Sequence, residues 1–280
     1  MRQLVMPVAT GFLALMLAGC TPDRPDKAEQ PEAKQPTFVE AAEATADAAA
    51  SAAASETPSP AASARALSER TRAFEFEYAY PAAAAAIPDL VVELEADLAR
   101  QRRELARIAP RPEAGERPIP YAKSVQWDVV TELPGWLSLS AAVYADTGGA
   151  HPNRWSQALL WDKAAGKSRK ATDLFVSGAA LAEAIRQPFC RALNRERAAR
   201  RGEVVRGDSG EMFDECIDPT RSTVILGSSN RQQFDRIGVL IAPYEAGSYA
   251  EGDYEITLPV TRAVLAVVKP QYRAVFAPGR

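Results

Sequence analysis

The sequence predicts an α+β protein: antiparallel sheets with helices packed on one face, arranged as two small subdomains. Three observations carry this. Several segments alternate apolar and polar residues at a period of two, the pattern of a strand with one buried face. Two longer stretches repeat apolar residues at three- and four-residue spacings, as helices docked on a sheet do. A helix followed by three strands joined by short turns reads as an α+β layer with one sheet face covered. With 280 residues, 47% of them hydrophobic, the chain is long enough to bury a core.

The first subdomain spans residues 73–170. Phe74-Glu75-Phe76-Glu77-Tyr78-Ala79-Tyr80 alternates as a half-buried strand. After Pro81 and an alanine run, Val91, Leu94, Leu98, Leu105 and Ile108 mark one amphipathic helix, with Gln101 interrupting the stripe. It opens near Pro88-Asp89 and is stopped by Pro110 and Pro112. Val125, Trp127, Val129, Thr131 and Leu133 are expected to point one way on a strand that turns at Pro134-Gly135. Leu137, Leu139, Ala141 and Val143 form its hairpin partner. Thr147-Gly148-Gly149-Ala150-His151-Pro152-Asn153 breaks the alternation before Trp155, Gln157, Leu159 and Trp161 resume it as a third strand.

The second subdomain spans residues 171–280. A helix from about Ala179 to Arg201 carries Leu181, Ile185, Phe189 and Leu193 at a spacing of four. Arg191, Arg195, Arg197, Arg200 and Arg201 lie along it and are expected to form a solvated face near the C-terminus, where cations are favoured, rather than a binding face for acidic polymers. Glu211, Asp214, Glu215 and Asp218 follow closely enough to neutralise them. Strands at Ile237–Ile241 and Tyr254–Pro259 flank the loop from Pro243 to Gly252, and a short helix runs from Val260 toward Val268.

Ahead of the folded part lie two segments of different character. Residues 1–20 join a positive start, an apolar run too short to favour a spanning helix, and Leu17-Ala18-Gly19-Cys20. This resembles a bacterial lipoprotein signal, and the resemblance implies that Cys20 is acylated on sulfur and becomes the mature N-terminus. A membrane anchored through lipid on Cys20 is then the first partner, because two or more acyl chains hold stably. Thr21 stands where many inner-membrane-retained lipoproteins have Asp, which favours the periplasmic face of the outer membrane over the inner membrane. Residues 21–72 are rich in Ala, Pro, Glu and Ser and poor in large apolar residues, so composition assigns them to a disordered tether.

The charge balance excludes some function classes. Asp and Glu number 36 against 33 Lys and Arg, without the basic excess of a nucleic-acid binder. The single histidine, His151, excludes a multi-histidine metal site, so no metal or other cofactor is expected. With Cys20 lipidated, Cys190 and Cys216 remain as an even pair in an oxidising compartment, where a disulfide is the natural pairing. Two inert buried thiols, or a redox pair lacking C-x-x-C spacing, are the rivals.

Enzymatic readings fare poorly. Gly207-Asp208-Ser209-Gly210 imitates a protease nucleophile segment, but Ser209 follows His151 too soon for a two-barrel protease with an intervening aspartate. Glu251, Asp253 and Glu255 offer carboxylates for glycan chemistry, although Asp253 and Glu255 look like ordinary outward strand residues. His151 reads most simply as a turn residue that satisfies backbone groups near Gly148-Gly149.

Thr147-Gly148-Gly149-Ala150-His151, Asp173-Leu174-Phe175 and Pro243-Tyr244-Glu245-x-Gly247-x-Tyr249-x-x-Gly252 together resemble an extracytoplasmic domain pair of unknown function. That pair is found in RsiV-type anti-sigma factors and PdaC-type peptidoglycan deacetylases. In the first group it binds lysozyme; in the second it accompanies a separate catalytic domain. The resemblance therefore implies a non-catalytic envelope binding module whose partner is a lysozyme-like protein or peptidoglycan. An envelope hydrolase acting on peptidoglycan or glycan, with a site the sequence does not reveal, is the alternative. Thr147, Gly148, Gly149, His151 and Asn153 in one loop, and Tyr244, Gly247, Tyr249 and Gly252 in the other, are the candidate binding residues. Their glycines equally suit plain backbone demands, with the tyrosines packed inward as plugs.

Overall fold

Among the described residues, 63–111, 113, 119–207 and 209–280 of a computed structural model, nine strands form two sheets. The larger has the order β1-β2-β3-β4-β5-β6. Its strands are β1 (Arg65–Arg70), β2 (Phe74–Tyr80), β3 (Tyr121–Leu133), β4 (Trp136–Asp146), β5 (Asn153–Asp162) and β6 (Lys167–Arg169). The smaller, β7-β8-β9, joins Thr223–Gly227, Arg236–Ile241 and Tyr254–Pro259. The content is mixed α+β with antiparallel sheets, as predicted. One pair departs from this: β2 runs parallel to β3, with Phe74 opposite Tyr121. The connection between them carries α1 (Ala82–Ala85) and α2 (Pro88–Ile108), long enough to bring the chain back to the same end of the sheet.

Cys20, with the whole signal segment and most of the alanine-rich stretch, lies outside the described residues. Strand β1, however, falls inside the 21–72 stretch that composition assigns to a tether. Its single large apolar residue, Leu67, is only half-buried, so the strand has little hydrophobic signature. It is held instead by antiparallel pairing with β2 and by α2, where Arg102 Nη2 donates to Glu69 Oε1 at 2.6 Å and Arg65 Nε donates to Glu95 Oε1 at 3.2 Å.

Helix α2 has Pro88 in its first turn and buries Leu90, Leu94, Leu98, Gln101 and Leu105 against the sheet. Each fully buried leucine is worth about 2 kcal/mol relative to exposure. Gln101 does not interrupt the stripe but lies within it, its amide donating to Asp97 Oδ2 at 3.0 Å. Ile108, expected on the apolar face, is exposed.

The β3–β4 hairpin turns at Pro134-Gly135, with Leu133 opposite Trp136. Its strand β3 does not present one continuous face. The register shifts between Val129 and Thr131, so that Val129 opposes Leu139 while Thr131 opposes Ser138. Neighbouring residues of β4 point to opposite faces, so this bulge turns Thr131 and Leu133 away from the α2 side that Val125, Trp127 and Val129 share. The consequence is a sheet end buried on both sides. Trp136–Leu139 and Leu159–Asp162 are consecutive buried runs. Leu137, Leu139 and Trp161 join the α2 core, whereas Leu133, Trp136 and Leu160 join a second core with Phe189, Leu193, Phe234 and Ile256. At this contact Thr223 Oγ1 of β7 donates to the Ser156 carbonyl of β5 at 2.8 Å.

Helix α3 (Gly178–Arg201) starts at Ser177, whose side chain accepts from the Ala180 N–H, and ends at Gly202 in the left-handed conformation, φ 73°. Leu181, Ile185, Phe189 and Leu193 are buried against the smaller sheet, beside β9. A disulfide joins Cys190 of α3 to Cys216 in the segment that follows, with Cα atoms 5.4 Å apart. A short α4 (Arg262–Ala266) follows β9 and is opened by Thr261, whose side chain accepts from the Val264 N–H.

Candidate functional site

The turn between β4 and β5 is built on Asp146, whose Oδ1 accepts the Gly148 N–H at 3.0 Å. Gly148 takes φ 78°, a left-handed conformation that costs a residue with Cβ but not glycine. Gly149 is exposed, Thr147 is half-buried, and Asn153 begins β5 at the surface opposite Ala145. This geometry delivers His151 to the β8–β9 loop, more than ninety residues later in the chain.

There the two loops meet in an aromatic cluster. The His151 ring stacks on Tyr249 with centroids 3.8 Å apart and planes 23° from parallel. His151 Nδ1 lies 2.9 Å from the Pro152 carbonyl and Nε2 lies 3.1 Å from the Tyr244 hydroxyl. A carbonyl only accepts, so Nδ1 donates to it, and in the neutral ring Nε2 is left to accept from Tyr244. Tyr244 and Tyr249 are themselves 5.8 Å apart, and the Arg154 guanidinium sits 5.9 Å over Tyr249. Both ring nitrogens and one ring face of the histidine are thus occupied. Tyr244 is 54% exposed and Tyr249 half-buried, so neither is an inward plug. Tyr244 adopts φ 70°, unusual for a bulky residue and held by its N–H donating to the Gly247 carbonyl at 3.0 Å.

The loop under these tyrosines is pinned from below. Glu251 Oε1 accepts the Ser248 N–H at 2.9 Å, and Oε2 accepts from Arg201 Nε at 2.9 Å and from the Tyr254 hydroxyl. Burial works against the charged carboxylate, but those hydrogen bonds and the Arg201 charge prevail and hold its pKa down at about 2. Burial, followed by the Glu251 contact, pushes Tyr254 up to about 12. Gly247 is required by close approach: a Cβ there would stand 2.6 Å from Glu251 Oε2. Gly252, φ 72°, releases the loop into β9.

Arginine behaviour is where the sequence misleads. Arg191 and Arg195 are solvated as expected, but Arg197 is fully buried and Arg201 bridges Asp214 and Glu251. The signal was present in the spacing: 181, 185, 189 and 193 continue to 197 and 201 on the inward face of α3. The carboxylates Asp253 and Glu255 are exposed. Ser209 donates to Asp214, whose carboxylate also binds Arg201, while His151 is engaged by Tyr244, Tyr249 and Pro152.

A cleft of about 550 Å³ lies between α2 and the β5–β6 edge. Most of its charged lining is committed internally: Asp97 binds Tyr78, Gln101 and Arg100, Glu93 binds Ser168, Arg169 binds Asp162, and Asp173 accepts the Lys170 backbone N–H. Smaller clefts of about 360 and 250 Å³ lie beside Glu245 and beside Thr223. His151 lines none of the three.

No protein-family model matches the chain, and no curated protein matches its sequence. Among solved structures it is similar to a DUF3298 family protein from Pseudomonas aeruginosa PAO1, at 17% identity over 78% of this chain and 97% of that one, with a TM-score of 0.47. It is also similar to a DUF3298 family member from Bacteroides fragilis, at 17% identity over 70% of this chain and 90% of that one, with a TM-score of 0.42. Both structural neighbours belong to a family built on a domain of unknown function.

Proposed function

We propose that this chain is a non-catalytic binding module of the cell envelope, anchored by lipid on Cys20, that recognises its partner through the joined loops 147–153 and 243–252. The observation that carries this reading is the His151–Tyr249–Tyr244 cluster. Two glycine-containing loops from distant parts of the chain converge on a partly exposed aromatic surface, and the histidine between them is spent on holding the tyrosines. Exposed aromatic side chains on a rigid scaffold offer large contact area at low entropic cost. A general base would need a free ring nitrogen facing a cavity, whereas both nitrogens of His151 have partners. The partner is a lysozyme-like protein or peptidoglycan, as the sequence resemblance implies.

The test is a capture experiment with the unlipidated chain from residue 21 onward, offered lysozyme in one arm and purified sacculi in the other. Retention in either arm, weakened about fivefold or more by Tyr249→Ala and by Tyr244→Ala, supports the reading. Retention unaffected by both variants would reject the loops as the recognition element. Release of soluble fragments from the sacculi by the chain alone would replace the binding module with a hydrolase.

A further inference from the structure

We infer that Arg197 and Arg201 are positioning residues of the recognition loop and that the Cys190–Cys216 disulfide fixes the frame from which they act. The consequence for binding rests on the recognition reading above, but the coupling itself is measurable without any ligand.

Arg197 has no exposed surface, and the acceptors bound to its guanidinium are all uncharged. Nε donates to the Ala246 carbonyl at 2.8 Å, Nη1 to the Asp214 carbonyl and Asn194 Oδ1, both at 3.0 Å, and Nη2 to the Glu215 carbonyl at 3.1 Å. Burial pushes its pKa down, and a buried cation of this kind is tolerable only while every acceptor stays in place. Those acceptors come from separate segments. Ala246 is the buried floor of the loop between Tyr244 and Tyr249, whereas Asp214 and Glu215 belong to the segment after α3.

Arg201, one turn further along α3, repeats the bridge with side chains. It joins Asp214 Oδ1 at 2.6 Å to Glu251 Oε2 at 2.9 Å, and Glu251 in turn holds Ser248 and Tyr254. Cys216 directly follows Glu215, and its bond to Cys190 ties that segment to the same helix two turns before Arg197. The covalent link thus sets the segment carrying Asp214 and Glu215, whose carbonyls orient Arg197 and whose Asp214 carboxylate orients Arg201, and the two guanidiniums set Ala246 and Glu251 on either side of Tyr249. A side chain that only filled space would make no directional demand on Ala246.

His151 is the only histidine, so its ring protons report the cluster alone. The experiment compares their NMR positions in the wild-type chain, in Cys190→Ser/Cys216→Ser, in Arg197→Met and in Arg201→Gln, with Tyr249→Ala marking the unstacked position. The expected result is that all three replacements shift the His151 resonances toward the Tyr249→Ala position while the Trp127 indole N–H stays at its wild-type shift. His151 resonances unmoved by the cysteine pair or by the arginine replacements, in chains whose Trp127 signal is native, would overturn the inference. Should the disulfide or Arg197 variant fail to fold, Arg201→Gln decides by the same readout, because that side chain is partly solvated. For any ligand captured as above, the cysteine variant should bind about tenfold more weakly. A His151 shift in the variants, together with failure of the wild-type chain to retain either lysozyme or sacculi, would leave the coupling standing and the recognition reading rejected.

Discussion

The Trp127 indole donates to the Tyr78 hydroxyl at 2.9 Å, and that hydroxyl donates onward to Asp97 Oδ2, also at 2.9 Å. One buried tyrosine therefore ties together β2, its parallel neighbour β3 and helix α2. Burial, then the Asp97 charge, pushes the Tyr78 pKa far up, so the hydroxyl remains a donor. Removing it in Tyr78→Phe leaves the Trp127 N–H without its acceptor and should cost about 1–3 kcal/mol. Urea unfolding at neutral pH checks this: the midpoint should fall with little change in slope.

Glu251 makes the second half of the chain sensitive to acid. Its folded pKa of about 2 lies below the ordinary value of 4.5, so the folded state favours the charged carboxylate. The resulting stability, on the order of 3 kcal/mol, is fully present well above pH 4.5 and is lost as pH falls through about 2. Glu251→Gln removes this increment at pH 7, and its stability should fall less steeply than wild type between pH 5 and 2. Parallel pH profiles of the two chains would show that Glu251 is not the group responsible.

Gly247→Ala tests the tightness of the 243–252 loop. The added methyl would press against a carboxylate that is already bonded by Ser248, Arg201 and Tyr254 and cannot swing away cheaply. We expect a loss of about 1–3 kcal/mol in stability, as overpacking typically brings, together with displaced Tyr249 and His151 resonances. A variant as stable as wild type, with those resonances unmoved, would mean that the loop yields more readily than its hydrogen bonds suggest.

Anchoring is tested at Cys20. On the proposed anchoring the acyl chains require its sulfur, so Cys20→Ser should leave the membrane fraction or accumulate unprocessed. Fractionation and processing identical to wild type would exclude the lipoprotein assignment.

Much of the architecture was legible where local pattern and tertiary demand agree. The alternation of Phe74–Tyr80 marks β2, Pro134-Gly135 marks the hairpin turn, and the four-residue spacing from Leu181 to Leu193 marks the buried face of α3. The pairing of Cys190 with Cys216 followed from their being the even pair left once Cys20 is set aside. Strand β1 was not legible, because it has little hydrophobic signature of its own and is held by backbone pairing with β2 and by Arg102 and Glu95 of the distant α2.

By itself the sequence determined six of the nine strands, helices α2, α3 and α4 and the two loops, since hydrophobic periodicity and turn residues act over a few positions. Tertiary structure alone decided that β2 pairs parallel with β3, that the bulge at Val129–Thr131 turns one strand toward two cores, and that the two loops share one cluster around His151. It also decided the fate of Arg197. An arginine on a helix reads as solvated until its acceptors are known, and these are backbone carbonyls supplied by residues 17, 18 and 49 positions away. Carbonyls belong to every residue, so composition carries no trace of them, and only folding brings them to the same point.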